Sequence, residues 1–423
     1  MKRVALLTSE APRPAMAGIA LRYLEMARRL PALGVETVLI TPGDPAEVPE
    51  VPGEVRRFER GGLDRLLADC AAVVAQGQLA NDVLLECQNL PVAIDLYDPW
   101  LIENLHYYET LGLDPYRNDH ATWVLQLSRG DFFLCSSAEQ RLYYLGFLTA
   151  LGRVNPERTA GDPTLERLIA AVPFGVETEL PPHRPLLPAR GEGEKRLLFG
   201  GLYDWYDPWT LLEALGKLEA TPWTLLLVAN PNPEATPQKL FGEVERWCRR
   251  RGWWGSRVTT IPWVAADRRY DLLRDVDALV ATHRPSLETD LALRTRFLDA
   301  LAAGCPAVTS AGGAISRLLV EHGAGWVAPP GDASALAGLL TELLAGGAEV
   351  ARRCEAGHRL AESFRWERVM APLVAFCRHP VRDATKERFA FHPPTLAPQD
   401  AVSFRLRRRL QGLLEKGLRG GGP

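Results

Sequence analysis

The chain has 423 residues, enough for two or three domains with their own cores. Hydrophobic residues make up 47% and charged residues 24%, the profile of an ordinary globular protein, and a net charge of -3 gives no global basic field for nucleic acid. The seven cysteines are scattered, without CxxC spacing or a Cys/His cluster, which reads as reduced thiols of a cytoplasmic protein and argues against a zinc site.

Arg3–Thr8 reads as a first buried strand, too short an apolar run for a secretion signal. No stretch approaches the length of a transmembrane helix. Pro12 and Pro14 mark a loop. Gly18 opens a helix to about Leu33, with Ile19, Tyr23, Met26, Ala27 and Leu30 inward and Gly34 as its stop. Thr37–Ile40 is the next strand. This strand, loop, helix and strand make a Rossmann-like crossover without the GxGxxG fingerprint.

Ala71–Val74 and Val83–Glu86 are expected to extend the sheet. The apolar run Val92–Leu96 leads into two aspartates, Asp95 and Asp98. They fall at a strand carboxyl end, where open α/β sheets bind ligands, although aspartates there also cap the following helix. Glu103 and His106 come next. Gly130–Ser137 reads as a strand running into a cap and Glu139–Leu151 as a helix. Pro181–Gly193, rich in Pro, Gly and charge, is the linker.

The second half repeats the alternation. Strands are expected at Arg196–Phe199, Trp223–Ala229, Val258–Val264, Asp277–Ala281, Ala307–Thr309 and Gly325–Ala328. Helices are expected at Trp209–Leu218, Phe241–Arg251, Asp271–Arg274, Ile315–Glu321 and Ala333–Leu344. Two α/β lobes follow, residues 1–180 and 181–362. Glu362–Cys377 reads as one further helix. Residues 381–423 read as irregular, ending in the basic and roughly amphipathic stretch Phe404–Arg419.

Ala281–Gly313 concentrates the chemistry. A loop carrying His283, Glu288 and Asp290 leads into an expected helix, Leu291–Ala303, stopped by Gly304 and Pro306. Thr295, Arg296 and Asp299 share the face opposite Phe297 and Leu301. A helix N-terminus seats a phosphate, nearby arginines add bidentate contacts, and a carboxylate on the same helix can accept from a ribose diol. The alternative is a salt-bridged helix, pairing Asp290 with Arg294 and Arg296 with Asp299.

The run Leu298–Val308 resembles the "LEAMAxGxPVV" segment of retaining GT-B glycosyltransferases of family 4. The wider pattern resembles a subgroup associated with surface-polysaccharide synthesis, which has "LET....RTR.LD...AG.PVV" here and "GG.YDW.DP.TL" upstream, where this chain has Gly200 to Leu211. Ala171–Val176 is similar to the "(I/V)PxGV" that ends the first GT-B domain.

The resemblance implies an α/β GT-B fold of two Rossmann-like lobes with a donor cleft between them. Residues 363–380 would form a helix crossing back to the first lobe. The implied reaction moves a sugar from a nucleotide diphosphate sugar to a carbohydrate or lipid-linked acceptor, with retention and without metal or other cofactor. Arg294, Arg296, Gly200 and Gly201 would meet the diphosphate, Asp299 the ribose, and Trp263 and Val264 the nucleobase. Glu288, Asp98 and Asp95 would serve the sugar and the acceptor, and Gly18 the substrate loop.

The chain departs from the family pattern in two places. Gly201 stands where the loop arginine would be, and Asp207 lies near the lysine position. Asp299 occupies the place of the second glutamate of the pattern and Leu291 that of the first, so Glu288 or Asp290 must serve if a carboxylate serves there; Arg294 and Arg296 are the natural replacement for the missing loop cations. A non-catalytic nucleotide-sugar-binding protein and a sugar-nucleotide epimerase are the competing readings. The basic tail is expected either to lie on an anionic membrane surface or to remain solvated.

Overall fold

The structure is a computed structural model, and it describes residues 3–16, 18–59, 61–87, 89–107, 112–218, 221–229 and 239–391. The Phe404–Arg419 stretch and residues 230–238 lie outside the described residues.

Two parallel sheets dominate. The first has seven strands, β1 (Arg3–Leu7), β2 (Thr37–Thr41), β3 (Glu54–Arg57), β4 (Cys70–Ala75), β5 (Val92–Asp95), β6 (Phe132–Cys135) and β7 (Ile169–Ala171), in the order β3-β2-β1-β4-β5-β6-β7. The second has six, β8 (Lys195–Gly200), β9 (Trp223–Val228), β10 (Val258–Ile261), β11 (Ala278–Ala281), β12 (Ala307–Ser310) and β13 (Trp326–Ala328), in the order β10-β9-β8-β11-β12-β13. Helices cover both faces, so the central strands are apolar on both sides: Val4–Leu7, Ala72–Ala75 and Ala278–Ala281 are buried throughout. Strand order reverses between β1 and β4 and between β8 and β11, which opens a crevice at the carboxyl edge of each sheet.

Several expectations are corrected. Val83–Glu86 belongs to a helix, Gln78–Glu86, whose Leu79, Ala80, Val83 and Leu84 are buried at helical spacing. The expected Leu291–Ala303 helix is two, Leu287–Leu291 and Thr295–Ala303, with extended Ala292 and non-helical Arg294 between them. The expected Glu362–Cys377 helix is broken into Glu362–Phe364, Trp366–Val369 and Ala371–Arg378. Pro372 opens the last of these, where its missing N–H is tolerated. The Ala348–Ala361 helix was not anticipated. It presses Gly357 onto Leu301, where a β-carbon would come within 2.8 Å of a leucine methyl.

The chain returns to the first lobe at its described end. Trp366 is fully buried over Gly175, and Val176 N–H donates to Phe364 O at 2.8 Å. Phe376 stacks on Phe132 with ring centroids 5.1 Å apart. Asp383 pairs with buried Arg153 at 2.8 Å, and Lys386 with Asp131 at 2.7 Å.

The lobes also touch along the cleft. Gln140, fully buried on the Ala138–Ala150 helix, accepts from Ser136 N–H at 2.8 Å. Its amide donates to Tyr97 O at 3.0 Å and, across the junction, to Leu291 O at 2.9 Å. Trp263 donates to Met16 O at 3.2 Å, and Ala266 N–H to Pro14 O at 3.0 Å. Among the described residues no single helix is long and apolar enough to cross a membrane.

Candidate active site between the lobes

A cleft of about 460 Å³ lies at the carboxyl ends of β1, β5, β8 and β11. Glu10, Gly18 and the segment from Tyr97 to Tyr107 form its first-lobe wall. Phe199, the Tyr203–Tyr206 loop and Arg294–Phe297 form the other. The first turn of the Thr295–Ala303 helix therefore opens its positive dipole end into the cleft.

Asp98 and Glu103 are hydrogen-bonded neighbours on the first-lobe wall. Burial, and then the nearby Glu288 and Asp95 carboxylates, push Asp98 up to about 6, against its bond from Glu103 and the pull of Arg294. Burial, Asp98 and Glu288 raise Glu103 well above the usual carboxylate range. Both carboxyls are thus pushed toward the protonated form, because two adjacent carboxylates in a poorly solvated site resist ionising together. Burial also raises Glu10.

Asp95 is not in the cleft. It sits beneath it in a fully buried bidentate pair with Arg22, whose Nε donates at 2.7 Å and Nη2 at 3.2 Å. Arg22 also donates to Val172 O at 2.8 Å and Pro173 O at 3.0 Å. A carboxylate so engaged anchors the strand end, and it is corrected here from a substrate-facing to a structural group.

The two arginines have different surroundings. Arg294 donates to Glu288, which is 1% exposed, at 2.5 Å and lies over the Tyr206 ring. Neither salt bridge expected of a continuous helix forms, since Arg294 precedes the helix and Asp299 pairs elsewhere. Glu288 Oε1, Arg294 Nε and His283 Nε2 are buried without hydrogen-bond partners. Among the described residues Arg296 has a single hydrogen-bond partner, Gly201 O at a long 3.4 Å, and it lies over the Tyr203 ring. Gly200 and Gly201 lie directly against its guanidinium. Asp207, which lies near the lysine position of the resembled pattern, caps the Pro208–Gly216 helix and accepts from Thr210 Oγ1 at 2.5 Å.

Besides Asp95, six expected site residues lie outside the cleft lining: Glu288, Gly200 and Gly201, which sit behind Arg294 and Arg296, and Asp299, Trp263 and Val264. Asp299 is 8% exposed and receives Arg269 Nε at 3.3 Å; burial raises its carboxyl against the pull of Arg269. Trp263 and Val264 are half-buried beside the Met16 loop. Gly18 does line the cleft, and a β-carbon there would come within 2.8 Å of Tyr97 Oη.

Reading the sequence missed Arg22, Glu10, Gln140 and the aromatic groups of the wall. Arg22 had a signal. It lies one turn from Ile19 on the buried side of its helix, and a guanidinium there requires a buried carboxylate. Among the described residues no group of three or more His, Cys, Asp or Glu is placed to hold a metal ion.

Residues 194–346 match the family model described as Glycosyl transferases group 1. No curated protein sequence matches the chain. Solved structures match over nearly the whole chain. Sucrose-phosphate synthase from Thermosynechococcus elongatus aligns with TM-score 0.65 and 17% identity, covering 89% of this chain and 98% of that one. Anabaena HepE, solved in complex with UDP-glucose, aligns with TM-score 0.60 and 15% identity over 90% of this chain and 100% of that one. WaaG, a glycosyltransferase involved in lipopolysaccharide biosynthesis, aligns with TM-score 0.58 and 16% identity over 88% and 98%. Two parallel α/β lobes with a cleft at their facing carboxyl edges, and these matches, make the fold GT-B, with a Glycosyl transferases group 1 region in its second lobe.

Proposed function

We propose that the protein transfers a sugar from a nucleotide diphosphate sugar to an acceptor hydroxyl, with retention, in cell-surface polysaccharide or glycolipid synthesis. The observation that carries this reading is the opposition across the cleft. On one wall stands a helix N-terminus with the loosely held Arg296; on the other, the neighbouring carboxyls Asp98 and Glu103. The leaving diphosphate gains negative charge as the glycosidic bond breaks. Fixed N–H groups and a guanidinium at that point stabilise this charge at no reorganisation cost. Asp98 and Glu103 hold and move a proton near the acceptor. No enzyme nucleophile is required if the acceptor attacks from the face the diphosphate leaves. The UDP-glucose bound by the HepE neighbour supports a nucleotide sugar as the donor. The surface role rests on the motif resemblance, and membrane contact on the basic Phe404–Arg419 stretch.

The test is release of nucleoside diphosphate across a panel of nucleotide sugars, with anomeric NMR of the product. Product with the donor's anomeric configuration is expected, and inverted product overturns retention. Cosedimentation with anionic liposomes, with and without the residues after Ser403, tests the tail. One observation favours a second reading, a binding protein without turnover: Asp207 caps a helix near the lysine position of the resembled pattern. Saturable nucleotide binding with no release for any donor and acceptor pair would establish it.

A further inference from the structure

We propose that the first-lobe wall of the cleft is a subsite for an uncharged pyranoside acceptor and is closed to anionic sugars. The idea rests on the glycosyl-transfer reading and names the acceptor class for it. Charge is the first argument. Among the described residues of this wall that line the cleft, Glu10, Asp98 and Glu103 are acidic and none is Lys, Arg or His. The cleft's cations, Arg294 and Arg296, belong to the opposite wall. A uronate or phosphate seated on the first-lobe side would face Glu10 and the Asp98–Glu103 pair at close range, with Arg294 as a counter-charge only from the opposite wall, which selects against it.

Shape is the second argument. Trp100 and Tyr107 line this wall, and Tyr107 meets Trp205 of the second lobe with ring centroids 6.3 Å apart. Tyr203 backs Trp205 in a parallel stack, 4.9 Å between centroids and 4° between planes. Aromatic faces carry negative charge density that attracts the polarised C–H face of a sugar ring.

The third argument is hydrogen bonding. Tyr107 is 7% exposed and lines the cleft, yet its hydroxyl has no hydrogen-bond partner. Trp205 Nε1 is likewise unpartnered. Buried donors left open in a binding cleft are completed by the ligand. Open donors beside carboxylate acceptors match a polyol, whose hydroxyls both give and receive.

The experiment is a saturation-transfer NMR titration of the full chain, without nucleotide sugar, using methyl gluco-, galacto- and mannopyranosides and the matching methyl uronides. At least one neutral glycoside is expected to bind roughly ten-fold tighter than its uronide. Tyr107→Phe should weaken that binding about five-fold while leaving the melting temperature unchanged, because the hydroxyl holds no protein partner. Uronides binding as tightly as neutral glycosides, no saturable binding of any neutral glycoside, or an unaffected Tyr107→Phe variant would each overturn the subsite. Sugar binding that persists without turnover of any nucleotide sugar would sink the transferase reading alone. Transfer to uronide acceptors at rates equal to neutral ones would sink the subsite alone.

Discussion

Arg296 crosses Gly200 so closely that a β-carbon at residue 200 would collide with its guanidinium, and Gly200 itself holds φ +82°. The loop glycine and the helix arginine therefore act as one unit, with the cation brought from the helix into space that the loop leaves empty. Arg296→Ala is expected to weaken nucleoside diphosphate binding by about 1.5–3 kcal/mol without lowering stability. Gly200→Ala should weaken it similarly by displacing the guanidinium. Calorimetry on the double variant should show strong non-additivity. In the Arg296→Ala background, Gly201→Arg should restore part of the affinity by returning a cation to the loop. Additive losses would show that the two positions act separately.

Arg294 should behave differently, because its partner Glu288 is buried and has no other hydrogen-bonding cation in contact. Arg294→Ala strands that carboxylate, and a stranded buried charge costs about 3–5 kcal/mol. Urea unfolding should show the loss, with Glu288→Gln/Arg294→Ala recovering part of it. An Arg294→Ala variant as stable as the parent would mean that Glu288 is neutral or solvated.

The carboxyl pair gives a pH dependence with a definite sign. Asp98 is raised to about 6 from an ordinary value of 3.8, so between these the folded state keeps a proton that the unfolded state has lost. Stability contributed by this site is greatest below that window, falls as pH rises through it, and is lowest above about 6. Asp98→Asn removes the penalty. It should raise stability by on the order of 1–3 kcal/mol at about pH 7.5 and by little at about pH 4, while abolishing transfer. Thermal melts at the two pH values check this, and an equal gain at both would contradict it.

Thiol chemistry should be quiet in the native state. Burial pushes Cys70, Cys135, Cys305 and Cys377 up to about 12, and Cys87 and Cys248 to about 11. Only Cys354 is half-buried. A thiol reagent at about pH 8 should modify Cys354 first, with all seven reacting after denaturation.

The lobes and most strands were legible because buried parallel strands are short apolar runs with clear punctuation. The failures have local causes. The Leu113–Arg129 helix escaped detection because Asp119, Thr122, Gln126 and Ser128 are buried on it, so its inner face does not look apolar. Those groups are satisfied by each other's neighbours: Thr122 receives Asn81, and Gln126 donates to Gly77 O and Asn81. The same packing explains Val83, read as strand from a short apolar run that helical spacing fits equally well. At the site, spacing rules assumed one continuous helix. The break at Ala292–Arg294 invalidates them and lets Arg294 reach back six residues to Glu288.

Gln140 holds a peptide carbonyl from each lobe with a single amide group. In the proposed transferase the donor enters between those lobes, so this clamp would stand as a gate in series with diffusion. Observed association rates should then level off as ligand concentration rises, at the rate with which the amide releases Leu291. Gln140→Ala should raise that plateau, speeding both arrival and departure and shortening residence time more than it changes equilibrium affinity.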